Sequence, residues 1–128
     1  MKAMVTEVMN QGKVIYTAFS CPAGRGVGLW QDSERPEKKT YDVELDFERR
    51  IESDMVIRDR LEPGIARVGD ETEVCAKIEG VDDDGVAYLR LHESCIVMVD
   101  SELTAAMRNG SVVFNLSRDQ LRLTPFGV

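Results

Sequence analysis

Aromatic side chains make up 6% of this chain of 128 residues, histidine occurs once, and the three cysteines, Cys21, Cys75 and Cys95, stand far apart. Each scarcity excludes something. A lone His92 cannot build a multi-histidine metal centre, and cysteines without a close pair such as C-x-x-C lack the usual spacing of a zinc site. An odd number of dispersed thiols reads as reduced cysteine. No metal and no cofactor is therefore expected. No apolar run has the length of a membrane span, and the stretch from Met1 to Glu7 meets the polar Asn10-Gln11-Gly12-Lys13 before reaching signal-peptide length. The chain reads as soluble and cytoplasmic.

What is present is ordinary for a globular protein: 43% hydrophobic and 30% charged residues, with a formal net charge of −7. The length suits one domain spanning residues 1–128, large enough to bury a substantial core. Negative charge is concentrated in two segments. Residues 42–54 hold six carboxylates against two arginines, and residues 70–84 hold seven against one lysine. Such a field repels phosphate backbones, so nucleic acid is a disfavoured partner unless the fold gathers its basic groups on one face.

Periodicity points to strands. From Tyr41 to Glu48, apolar and charged residues alternate strictly, which places Tyr41, Val43, Leu45, Phe47 and, further on, Ile51 on one face of a long strand. Residues 73–81 and 86–92 alternate in the same way on either side of Asp82-Asp83-Asp84-Gly85, the signature of a hairpin. Val74, Ala76, Ile78, Ala87, Leu89 and Leu91 would face the core. A two-residue Asp84-Gly85 turn sets Glu79 opposite Arg90, an opposite-charge pair worth a few tenths of a kcal/mol. A four-residue loop instead sets Cys75 opposite His92 and Lys77 opposite Arg90; charge favours the first register.

Ile96-Val97-Met98-Val99 is apolar throughout and reads as a strand covered on both faces. Residues 3–9 and 13–20 read as two strands around Gln11-Gly12, and 54–58 as a further short one. One helix is predicted at 102–108, with Ser101 as its cap and Asn109-Gly110 as its left-handed stop. Residues 117–124 fit either a capped helix or a strand. Many short strands, one helix and no βα alternation predict an all-β or β-rich α+β domain. It would be a small barrel or strongly curved antiparallel sheet, with an OB-like barrel as one candidate.

No set of residues names a reaction. Pro22 to Trp30 carries three glycines and Arg25, but it lacks the Lys-Ser/Thr of a P-loop and the glycine spacing of a dinucleotide fingerprint, and reads as a turn before a strand. Asp82-Asp83-Asp84-Gly85 lacks the alternating ligands of an EF-hand loop. Cys75 and His92 would make a nucleophile and base only in the less favoured hairpin register. Two surfaces remain as binding candidates. One is the polar side of the hairpin, Lys77, Glu79, Tyr88, Arg90 and His92, with Trp30 nearby. The other is the carboxylate row Asp42, Glu44, Asp46 and Glu48, suited to a basic protein partner.

The leading expectation is a non-catalytic binding or protein-interaction domain with acidic faces that dock a basic partner. The alternatives are a small-ligand-binding barrel or an enzyme of unknown class with its site at a barrel mouth, and an OB-like binder of single-stranded nucleic acid through the hairpin face. An exposed edge strand is also a place where two copies can pair.

Overall fold

The computed structural model describes residues 1–59 and 61–126. Its strands are β1 (Lys2–Gln11), β2 (Val14–Cys21), β3 (Gly24–Trp30), β4 (Thr40–Phe47), β5 (Val56–Ile57), β6 (Gly64–Val68), β7 (Glu71–Val81), β8 (Val86–His92), β9 (Cys95–Asp100), β10 (Ser111–Ser117) and β11 (Leu121–Pro125). Five of them close a barrel. Around it β1, β2 and β3 pair in sequence, β3 meets β11 in parallel, β11 pairs with β4, and β4 returns to β1. This order follows the Greek-key plan of an OB-type barrel. Residues 48–120 are inserted between the fourth and fifth barrel strands, and β5 to β10 lie within this insertion.

The pattern of side chains explains the closure. On β4 the apolar members Val43, Leu45 and Phe47 are buried and the carboxylates between them are exposed, the period of two expected of a pleated strand. The strand ends at Phe47, so Ile51 does not extend it; Ile51 is buried separately, in a single bridge to Ser101. Leu121 and Leu123 of β11 lie opposite Phe47 and Leu45 and complete that wall. Glycine allows β11 to come close to β3, because a Cβ on Gly28 would stand 2.4 Å from the Leu121 carbonyl oxygen. The segment from Pro22 to Trp30, read as a turn before a strand, is therefore mostly strand itself.

The insertion packs a second layer of apolar side chains around β7, with Val74, Ala76 and Ile78 from β7, Leu89 and Leu91 from β8, and Phe114 and Leu116 from β10. Phe47 and Phe114 meet edge to face, 6.1 Å between ring centres, where the two layers join. Together they form one cluster of buried side chains.

One strand edge inside this arrangement is closed in an unusual way. The outer edge of β3 pairs with β6 at Gly24 and with β11 at Leu29 and Trp30, which leaves a gap between the two. Thr72 of β7 fills it. Its Oγ1 accepts from the Val27 amide (3.1 Å), and its hydroxyl donates to the Val27 carbonyl (3.3 Å). Val27 and Thr72 are both fully buried, so the hydroxyl satisfies two groups that water cannot reach.

Three further sequence expectations need correction. The helix at 102–108 is only a 3₁₀ turn at Ala105–Met107. The Leu103 amide does donate to Ser101 Oγ (3.2 Å), and Asn109 does take a positive φ of 71°. But Leu103 is drawn into the core, and the Asn109 amide donates to the Ile78 carbonyl (2.8 Å), so the few residues between these anchors are too short to propagate a helix.

The hairpin register also differs. Asp82 accepts from the amides of Asp84 and Val86 through its side chain, and from Gly85 through its carbonyl; only Gly85 in this turn takes a positive φ, of 83°. This is a type I turn followed by a left-handed glycine, not a two-residue type I′ turn. A bulge between Ile78 and Gly80 then sets Lys77 opposite Arg90.

Finally, β9 is not covered on both faces. Its burial alternates, with Cys95, Val97 and Val99 inside and Ile96 and Met98 exposed at 47% and 65%. Residues 117–124, open between helix and strand, form a turn followed by β11, in which the Ser117 amide donates to Gln120 Oε1 (2.9 Å).

Candidate functional site

The polar side of the hairpin is internally paired. Lys77, Glu79, Tyr88, Arg90 and His92 are all half-buried on the outer face of β7 and β8. Despite the shifted register, Arg90 Nε donates to Glu79 Oε1 at 2.6 Å, and Lys77 Nζ lies 3.7 Å from the same oxygen. Arg90 Nη1 donates to the carbonyls of Glu93 (2.9 Å) and His92 (3.4 Å). The Arg90 hydrogen bond, helped by the Lys77 charge and opposed by desolvation, holds the Glu79 carboxyl below its ordinary range. Trp30 does not join this face. It is buried at the barrel wall, its indole donates to the Glu34 carbonyl (3.1 Å), and it packs edge to face on Tyr41.

Cys75 and His92 do not form a nucleophile and base. Cys75 lies opposite Gly64 on one side and Val113 on the other, while His92 Nδ1 is 3.1 Å from Ser94 Oγ. Burial raises the Cys75 thiol above its ordinary value, which disfavours the thiolate that such chemistry needs. The outer side of β2 and β3, the platform of many OB-type barrels, is also occupied. Tyr16, Ala18 and Val27 are buried there, with the Arg118 guanidinium 4.0 Å from the Tyr16 ring centre and the Tyr16 hydroxyl donating to Asp119 (2.5 Å).

The carboxylate row is different. Asp42, Glu44 and Asp46 project outward from β4, and Glu48, just past its end, is exposed as well. Lys2 pairs with Asp42 at one end (3.1 Å) and Arg122 with Glu48 at the other (3.7 Å). Glu44 and Asp46, in the middle, have no cationic partner among the described residues. Beside them runs a groove of about 480 Å³ between β4 and β9. Leu45, Cys95 and Val97 line its buried side, Ile96 and Met98 its exposed side, and Met1 and Phe126 stand at its open end. Phe126 is 56% exposed, so exposed apolar side chains stand on the rim of the groove beside two carboxylates that have no ion-pair partner among the described residues.

No family model, curated protein or solved structure matches this chain. The site must be read from its own geometry.

That geometry includes backbone. Successive residues of a strand turn their amides to opposite edges. The Val43 amide donates to the Met1 carbonyl (2.8 Å) and the Val43 carbonyl accepts from the Met1 amino group (3.2 Å), so Leu45 turns its own amide and carbonyl to the same edge, into the groove. On β9, the Asp100 carbonyl accepts from the Ile51 amide (2.9 Å), facing away from β8. Met98 and Ile96, at the same parity, therefore also present backbone donors and acceptors away from β8. Among the described residues β9 pairs only with β8, and β4 finds no strand partner on its groove side beyond Met1. The groove thus lies between two strand edges without neighbours, which converge where Ile51 bridges Ser101.

Sequence reasoning found the acidic side of this site and missed the apolar side. Ile96 and Met98 belong to a run that is apolar at every position, so alternation could not reveal that one face is uncovered. Met1 and Phe126 lie at the groove only because the barrel brings β1 and β11 beside β4.

Proposed function

We propose that this protein is a non-catalytic interaction domain that docks a basic segment of a partner protein against β4. The observation that carries this reading is the pair Glu44 and Asp46. They are exposed and adjacent on one strand face, and among the described residues no cation lies within ion-pair distance of either, while the charges at both ends of the same row are paired. The groove beside them supplies apolar area, which ion pairing at an exposed surface alone would not, since such pairs each contribute about 0–1 kcal/mol. The hairpin face gives less support, because its cations already bond to Glu79 and to backbone carbonyls.

Titration with a fluorescent oligolysine peptide tests the reading. Binding is expected at low ionic strength, weakening steeply as salt shortens the Debye length from about 30 Å at 0.01 M to about 8 Å at 0.15 M. The double substitution Glu44→Lys with Asp46→Lys is expected to weaken it at least about tenfold, equivalent to about 1.4 kcal/mol. Unchanged affinity in that variant would remove β4 as the docking face. A parallel titration with a single-stranded oligonucleotide is expected to show no binding at low salt; tight binding there would favour a nucleic-acid role instead.

A further inference from the structure

Resting on that reading of the acidic row, we propose how the partner is held: an extended segment enters the groove as an added β-strand, paired through its backbone to the free edge of β9 and lying against β4. Three observations converge on this mode. The groove is bounded by strand edges on both long sides, and the backbone groups of Ile96, Met98 and Leu45 face into it. Such edges are templates for pairing, and folded proteins generally blunt them with charge, proline or a covering loop. Here the exposed face of β9 carries Ile96 and Met98, with a charge only at its far end, Asp100, and among the described residues no proline or covering loop. The exposed apolar side chains and the unpaired carboxylates lie on opposite sides of the same groove.

The chemistry of the occupant follows from the two faces a strand would present. Residues pointing inward would meet Leu45, Cys95 and Val97, which favours small apolar side chains. Residues pointing outward would lie between Ile96 and Met98 on one side and Glu44 and Asp46 on the other. Lysine or arginine fits both, its methylene stem covering the apolar pair while its charged head reaches the carboxylates. A helix would offer no free backbone donors to the edges, since its own amides are used internally. The segment recognised is therefore extended, with lysine or arginine alternating with alanine or valine over about four to six residues.

The test uses the full chain and three peptides: acetylated, amidated (Lys-Val)₄, the same peptide N-methylated at alternating backbone amides, and a composition-matched peptide with lysines and valines in separate blocks. The N-methylated form keeps charge and side chains but loses strand pairing along one edge. The parent is expected to bind, the N-methylated and block peptides at least about tenfold more weakly, as the loss of backbone hydrogen bonds along one edge implies. Binding of the parent should slow hydrogen exchange at the amides of Ile96 and Met98. Met98→Pro removes one edge donor without breaking the pairing to β8. With its circular dichroism unchanged, it should lose at least about fivefold in affinity for the parent peptide, the same lost hydrogen bond taken singly.

Equal binding of parent and N-methylated peptides, both weakened by Glu44→Lys, would overturn strand addition and leave the acidic docking face standing. Loss on N-methylation with indifference to Glu44→Lys would support strand addition and overturn the charge reading. Failure of every peptide to bind at low salt would overturn both. Concentration-dependent dimerisation that protects Ile96 and Met98 without any peptide would overturn the proposal by showing a second copy of this chain in the groove.

Discussion

Two gaps beside strand edges are treated in opposite ways by this fold. Where β3 passes from β6 to β11, the gap at Val27 is closed by the Thr72 hydroxyl, which bonds both backbone groups in a buried setting. Where β4 and β9 face each other, the edges stay open to solvent, and apolar side chains stand on the rim. Burial explains the contrast. An unsatisfied amide in the interior costs about 1–3 kcal/mol, whereas one at a solvated edge is satisfied by water. The first gap had to be filled for the chain to fold; the second can remain open and take a ligand.

The largest expected effect falls on the closed edge. Thr72→Val keeps the shape of the side chain and removes its only polar atom, leaving the Val27 amide and carbonyl unpaired. A loss of about 2–4 kcal/mol in unfolding free energy is expected, from two buried groups desolvated without partners, with Thr72→Ser retaining most of the stability. Chemical denaturation measures both, and a loss below about 0.5 kcal/mol, the range of ordinary surface changes, would show that Thr72 does not seal this gap.

A second buried threonine sharpens the point. Thr17 is fully buried on β2, and its Oγ1 has no hydrogen-bond partner among the described residues. The same substitution there, Thr17→Val, replaces an unpartnered hydroxyl by a methyl group and is expected to stabilise the protein by about 1 kcal/mol. Opposite signs for one chemical change at two buried sites would tie the cost to the hydrogen bonds rather than to threonine. Equal signs would break that argument.

At the open edge, Ile96→Lys and Met98→Lys are expected to change stability by no more than about 0.5 kcal/mol, because neither side chain is in the core. Both should abolish peptide binding by placing a cation where the lysine stems of the peptide would lie. A large loss of stability in either would mean that the exposed face of β9 is part of the fold rather than a free surface.

The smallest effect concerns pH, and it belongs to the hairpin face. The folded state holds the Glu79 carboxyl below its ordinary value through Arg90, so this group contributes stability above the ordinary carboxylate range and loses it as pH falls through the lower folded value. In Glu79→Gln, acid titration followed by circular dichroism should show a shallower decline in stability over that window. An unchanged profile would mean that the Arg90 pairing adds nothing net.

The barrel was readable where residue types differ sharply between neighbours. On β4 charged and apolar residues take turns, and on β7 and β8 the inward set Val74, Ala76, Ile78, Ala87, Leu89 and Leu91 is buried as the pattern required. Where types do not differ, the pattern carried no face. Ile96 to Val99 could not show which side was uncovered, and that side is half of the proposed site. The hairpin register was lost for another reason. Asp82 to Gly85 supports a two-residue or a longer turn equally well, and the Asp82 side chain, by capping the amides of Asp84 and Val86, selected the longer one. The helix at 102–108 failed because tertiary anchors at Leu103 and Asn109 left its capping residues only a single turn to stabilise.

Native-state hydrogen exchange of the unliganded protein, read amide by amide by NMR, tests the contrast between the two edges most directly. The account requires Val27 to exchange only through global opening, and Leu45, Ile96 and Met98 to exchange faster by orders of magnitude. Protection at Ile96 and Met98 as strong as that at Val27, with the protein monomeric, would mean that the gap between β4 and β9 is not open, and the proposed docking groove would be lost with it.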